Sequence, residues 1–233
     1  MTPRRRDGPL LATVRLISTA YYKPPVLAPL LEREDDMDRL AGIEGRTSRR
    51  LIAEREGLPD LDPRELAYSA RERALRLWGD IYVNAAFTHT RAGGNRFNDA
   101  DRGAWYCATA SLVAIEEVGY HRTRELVFAD WFEDSAEYVE LLADFAGDFP
   151  DLTGAEPAPP CLGPDPATAY PLGQRKARAL RAAGERGLVY PSVRRPGGVC
   201  FVAFEPQIVQ NVRPAAKWRL AWRGSPQFTV EGR

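Results

Sequence analysis

The sequence predicts an α+β fold, a mixed sheet with flanking helices, and three observations carry that expectation. Helical and extended patterns are interspersed without the regular strand–helix alternation that builds a doubly wound parallel sheet. Three extended candidates crowd the C-terminal end, at 187–190, 199–204 and 217–222, behind a single helical pattern. Apolar residues make up 44% and charged residues 27% of 233 positions, a globular balance in a chain long enough for one good-sized core and an appendage.

The elements follow in order. Residues 12–18, ATVRLIS, read as a strand with Val14 and Leu16 on one face and Arg15 on the other. Pro24 and Pro25 end it. From Leu27 to about Ala53 the apolar spacing is helical, 57–63 is a loop, and 64–78 is rich in helix formers. The whole of 1–233 reads as one domain, with 19–80 a helical insertion in it. Residues 80–88 read as a strand, followed by the loop Ala92-Gly93-Gly94-Asn95 and a short strand over Ala104–Ala108. Ser111 to about Tyr120 reads as a helix. The segments 125–132 and 136–146 fit either a strand or a helix. The proline-rich stretch 149–166 reads as an exposed connection, and 168–183 as a helix ending near Gly184.

Composition narrows the function. Lysine plus arginine equals aspartate plus glutamate at 32 each, so the broad basic footprint of a nucleic-acid binder is missing. Nearly all the positive charge is arginine, the residue suited to forked recognition of phosphate or carboxylate. Cys107, Cys161 and Cys200 are odd in number and not at metal-ligand spacing, so they read as reduced packing residues of a cytoplasmic protein. His89 and His121 are too few for a histidine-rich metal centre, and no metal site is expected. No apolar run reaches bilayer length, so no membrane association is expected.

Several segments carry chemistry. Arg15 interrupts an apolar strand. Gly93-Gly94-Asn95-Arg96-Phe97-Asn98 joins glycines, which let a backbone approach a ligand, to an arginine that forks onto phosphate. Tyr106 precedes a helix bearing Glu116 and Glu117. Those two carboxylates lie about 100° apart on the helix, so they form no acid/base pair and only one can face a site. Ser192, in Tyr190-Pro191-Ser192-Val193-Arg194-Arg195-Pro196-Gly197-Gly198, has no histidine or aspartate beside it in sequence to activate it. It suits a hydrogen-bonding or turn role better than a nucleophile's. Taken singly, each segment also has an ordinary reading as a turn, an edge or a solvated face.

Together and in this order, VRLIS, GGNRFN, the Tyr106–Glu117 spacing with Tyr120-His121-Arg122, and GLVYPSVRRPGG resemble the RES-domain family over about residues 13–223. The resemblance implies an ADP-ribosyltransferase-like fold. It also implies the toxin half of a toxin–antitoxin pair, with an Xre-type helix-turn-helix antitoxin as partner and a homodimer as a further expectation. NAD⁺ is then the substrate, degraded by hydrolysis or by phosphorolysis with inorganic phosphate, and no permanently bound cofactor is expected. By the same resemblance Glu117, Arg15 and Ser192 are the catalytic candidates, and Arg96, Tyr106, Phe97 and Asn98 the NAD⁺-binding ones. Arg15 and Arg96 would hold the pyrophosphate. Tyr106 would offer its ring to nicotinamide and its hydroxyl as a hydrogen-bonding group. Asn95 departs from the family pattern, standing where many members place a second glycine–arginine contact. Ile115 stands where protein-modifying transferases carry a second glutamate, which favours water or phosphate as acceptor. Two alternatives stay open: a mono-ADP-ribosyltransferase acting on a protein, and an inactive module that only binds an antitoxin.

Overall fold

The computed structural model describes residues 4–22, 49–66 and 78–232. Among them run nine strands and four α-helices. They are β1 (Arg4–Arg6), β2 (Leu10–Ser18), α1 (Arg49–Glu56), α2 (Asp80–Thr88), β3 (Trp105–Ala108), α3 (Ser111–Ala129) and β4 (Glu133–Phe145). Then come β5 (Phe149–Asp151), α4 (Pro166–Ala182), β6 (Gly187–Pro191), β7 (Val199–Ala203), β8 (Gln210–Arg223) and β9 (Phe228–Gly232). The strands form one mixed sheet in the order β1-β5-β6-β7-β3-β2-β4-β8-β9. Only β5 and β6 pair in parallel; every other neighbour is antiparallel. The architecture is α+β, as the mixed patterning predicts.

Strand alternation sorts the core into two layers. Val14, Leu16, Ala108, Tyr190, Cys200 and Val202 bury against α3 and α4 on one face. Trp105, Cys107, Leu141, Phe145, Phe201 and Ala203 bury against α1 and α2 on the other. Tyr22, at the end of the N-terminal strand region, stacks on Tyr82 at 6.3 Å and meets Trp78 edge-on at 6.4 Å. The two ends of the intervening excursion are thereby tied together on the second face.

Four sequence expectations change. The segment 80–88 is helix α2, not a strand. It buries Tyr82, Val83, Asn84, Ala86, Phe87 and Thr88, so its apolar residues lie almost all round and show no helical period. Gly79, at φ 110°, turns the chain into it. The stretch 149–166 is not wholly exposed: β5 is buried beside β6, and Cys161 is buried. The helix begun at Ser111 continues to Ala129, where Asp130 adopts a left-handed conformation and ends it, and 136–146 belongs to strand β4. The extended pattern at 217–222 is the second half of a fourteen-residue strand, β8. Of the helical readings at 27–53 and 64–78, only Arg49–Glu56 and the 3-10 turn Pro63–Glu65 fall on described residues.

Candidate active site

The sheet opens between β2 and β3. These strands share one register pair, Val14 with Ala108, after which β2 continues along β4 and β3 along β7. A cleft of about 750 Å³ lies over this opening, with α3 along one side. That volume is within the range of small-molecule sites.

Arg15 sits where the two strands part. Its Nη1 donates to the carbonyl of Tyr106 at 3.1 Å, giving that oxygen a side-chain donor at the point where the β2–β3 ladder has ended. The guanidinium carbon lies 5.0 Å from the Trp105 ring centroid. Its Nε is buried and has no partner. Desolvation pulls its pKa below the ordinary arginine value.

The loop GGNRFN is held by its own backbone and by α4. Gly94 has φ +67°, and a Cβ there would collide with the carbonyl oxygen of Asn98. The Asn95 N–H donates to that oxygen at 2.8 Å. On α4, Gly173 leaves room for the carbonyl of Arg96, and Gln174 donates to the carbonyls of Gly93 and Asn95 at 2.9 and 3.0 Å. Arg96 is 7% exposed. Its Nη1 is shared between the carbonyls of Cys161 and Gly163, at 2.6 and 3.0 Å, and its head lies 5.2 Å from the Tyr170 ring centroid.

Tyr106 fastens this loop. Its hydroxyl donates to Asn98 Oδ1 and accepts the Phe97 N–H, both at 2.9 Å. Burial raises its pKa far above the usual phenol range. The Tyr106 ring lines the cleft, but its hydroxyl is already occupied by the loop. Phe97 packs edge-on against Tyr190 at 4.8 Å, and Asn98 Nδ2 donates to the carbonyls of Asp99 and Arg102. Neither Phe97 nor Asn98 lines the cleft. Both build the support behind it.

Glu117 projects from α3 into the cleft. Ser192 Oγ donates to its Oε1 at 2.6 Å, and Cys200 Sγ stands 3.9 Å from the same oxygen. Ser192 is itself fixed, accepting the N–H groups of Arg194 and Arg195 at 3.2 and 3.0 Å. Gly198 closes the turn: its carbonyl accepts the Ser192 N–H at 2.8 Å. Glu116 faces away and lies 3.8 Å from Arg195. The structure therefore brings Arg15, Arg96, Tyr106 and Glu117 to one cleft, with Ser192 immediately behind Glu117.

The sequence reads Arg194-Arg195 as an anion-binding or a turn pair, and Arg194 joins the wall, whereas sequence reasoning missed His121 and Tyr170. Arg194 lies 3.4 Å from the centroid of the Tyr120 ring and donates to the carbonyl of Pro164 at 2.8 Å. Burial lowers its pKa. His121 stands one helical turn beyond Glu117, a spacing that puts both on one face and could have revealed it. Its Nδ1 is buried without a partner. Desolvation first, then Arg91, Arg124, Arg194 and Arg96, lower its pKa to about 4, so the imidazole is neutral at pH 7. Farther along the wall, Glu125 pairs with Arg91 and Arg122, and Arg122 with Asp134. Among the described residues, Arg15, Arg96 and Arg194 have carbonyl partners and no ion pair, so positive charge without an ion-pair partner stands near Glu117. No group of three or more metal-ligating side chains occurs among the described residues, and no helix there is long and apolar enough to cross a membrane.

Three comparisons bear on identity. No curated protein matches the chain. A solved structure described as the crystal structure of the M.tuberculosis MbcT–MbcA toxin–antitoxin complex is similar at 18% identity and a TM-score of 0.37. The match covers 56% of this chain and 74% of that one. The sequence profile of the RES domain matches residues 43–223, a span that holds Arg96, Tyr106, Glu117 and Ser192 and begins after Arg15. By that match over most of its length, the chain belongs to the RES-domain family.

Proposed function

We propose that this cleft binds NAD⁺ and breaks the bond between nicotinamide and ribose, and that the chain acts as a toxin depleting cellular NAD⁺. The observation that carries this reading is the placement of the Glu117 carboxylate in one cleft with three arginine heads that, among the described residues, have no ion pair. A pyrophosphate supplies the anion that such arginines lack. The reacting sugar needs the opposite charge, because its C1′ becomes cationic as the bond breaks.

The step balances simply. The C1′–N bond breaks and its electron pair leaves on nicotinamide, which departs neutral. An oxygen of water or inorganic phosphate forms the new bond to C1′ and gives up its proton. Glu117 stabilises the developing positive charge and lies where it accepts a hydrogen bond from the ribose or a proton from the acceptor. Ser192 holds Oε1, and Oε2 is the oxygen assigned to the sugar. The released product is ADP-ribose or its 1″-phosphate. Family membership supports a cognate antitoxin as partner, here of Xre type, and a cytoplasmic site of action.

Glu117→Gln keeps the shape and removes the charge. NAD⁺ consumption by that variant is expected to fall about 10²–10³-fold. A fully active Glu117→Gln enzyme overturns the reading. With NAD⁺ labelled in the ADP-ribose part, label must appear in a free small molecule; label fixed to protein would identify a transferase instead.

A further inference from the structure

What aims Arg96 lies outside the cleft, and the role inferred for it rests on the NAD⁺ reading. An arginine grips a diphosphate well only if its loop is already ordered, because ordering at binding costs affinity. The loop cannot order itself. Gly94 holds a positive φ and Gly93 stands in open space, so the chain leading to Arg96 is weakly restrained. Helix α4 supplies the restraint. Gln174 Nε2 donates to the carbonyls of Gly93 and Asn95 at 2.9 and 3.0 Å. Gly173 lies directly against the carbonyl of Arg96, where a Cβ would collide with that oxygen. The Asn95 and Arg96 carbonyls belong to the two peptide planes on either side of the Arg96 Cα. With both planes held by α4, the direction in which the Arg96 side chain leaves the backbone is set.

The same stripe of α4 reaches the head. Tyr170, whose ring centroid lies 5.2 Å from the guanidinium, precedes Gly173 and Gln174 by three and four residues and so shares their helix face. Tyr170 lines the cleft and Gln174 does not. Arg96 Nη1 is committed to the carbonyls of Cys161 and Gly163, while Nη2 and Nε donate to no protein group among the described residues. We infer that Gln174 is a positioning residue for substrate binding: it touches no ligand and acts through Arg96, aiming the guanidinium at the diphosphate. The diphosphate is remote from the C1′–N bond, so this contact contributes equally before and during bond breaking. Losing its alignment weakens binding without slowing the chemical step.

Gln174→Met keeps the length of the side chain and removes both donors; Gln174→Ala removes the side chain. Both are compared with wild type in steady-state NAD⁺ cleavage, in titration calorimetry with ADP-ribose, which carries the diphosphate, and in thermal melts. KM for NAD⁺ is expected to rise about tenfold with kcat within about twofold, and Kd for ADP-ribose to rise by the same factor. An unchanged KM and Kd in a folded variant, a kcat that falls as far as KM rises, or failure of both variants to fold overturns the positioning role and leaves the cleavage reading standing. A wild type that binds ADP-ribose without cleaving NAD⁺ overturns the cleavage reading alone, and the change in Kd then decides the positioning role. A wild type that neither cleaves NAD⁺ nor binds ADP-ribose overturns both.

Discussion

Ser192 and Glu117 share a hydrogen bond of 2.6 Å between the hydroxyl and Oε1, and the same hydroxyl accepts two backbone N–H groups of its own turn. The serine is thus a fixed bracket between the β6–β7 turn and the carboxylate, not a nucleophile. Bonds to charged groups are worth about 1.5–3 kcal/mol. Ser192→Ala is expected to lower kcat for NAD⁺ cleavage about tenfold to a hundredfold, with KM changed little, because Glu117 then samples several rotamers. Steady-state kinetics check this. A covalent role would instead abolish turnover.

Arg15 is buried at a cost to stability that the proposed pyrophosphate would offset. Its Nε is buried without a partner, and its head is held by a neutral acceptor, the carbonyl of Tyr106. Burial of an uncompensated charge opposes folding. Arg15→Met is expected to raise the melting temperature of the free protein by a few degrees while raising KM for NAD⁺ more than tenfold. Calorimetry with and without NAD⁺ separates the two effects, since the ligand should stabilise the wild type and leave the variant unmoved.

The legible parts of this molecule were those whose signal is local. The alternation around Arg15, the glycine pair before Arg96, and the 100° separation of Glu116 and Glu117 all survive in the structure. Helix α2 was not legible, because burial on nearly every side erases its period. Strand β5, three residues long, is too short to show one. Tyr170 enters the wall through long-range packing against Arg96 that no spacing announces. The assignment of Phe97, Asn98 and the Tyr106 hydroxyl, though not the Tyr106 ring, to ligand contact overlooked that such a loop needs internal partners. The Tyr106 hydroxyl and the Asn98 amide are those partners.

The glycine pair makes a further expectation. Only Gly94 carries the positive φ and the contact with Asn98; a Cβ at Gly93 meets nothing within 4 Å. Gly94→Ala is expected to cost more than about 2 kcal/mol in stability, through backbone strain and displacement of the loop. Gly93→Ala should be close to neutral. Denaturant unfolding of the two variants, side by side, checks the asymmetry.

His121 sets an acid limit. An imidazole free in the unfolded chain titrates near 6.5, and in the cleft it titrates at about 4. Between those values the unfolded chain holds a proton that the folded one refuses, so stability rises with pH. The contribution is complete above about pH 6.5 and is lost as pH falls toward 4, for a few kcal/mol at most. His89 shifts in the same direction by desolvation and by Arg50 and Arg49, and adds to the slope. His121→Gln is expected to flatten the decline of melting temperature between about pH 6.5 and 4 relative to wild type. A polyphosphate in the cleft neutralises the arginines that depress the imidazole, so NAD⁺ binding should take up a fraction of a proton below about pH 6. Titration calorimetry in buffers of different ionisation enthalpy measures that uptake, and its absence in His121→Gln assigns it to this side chain.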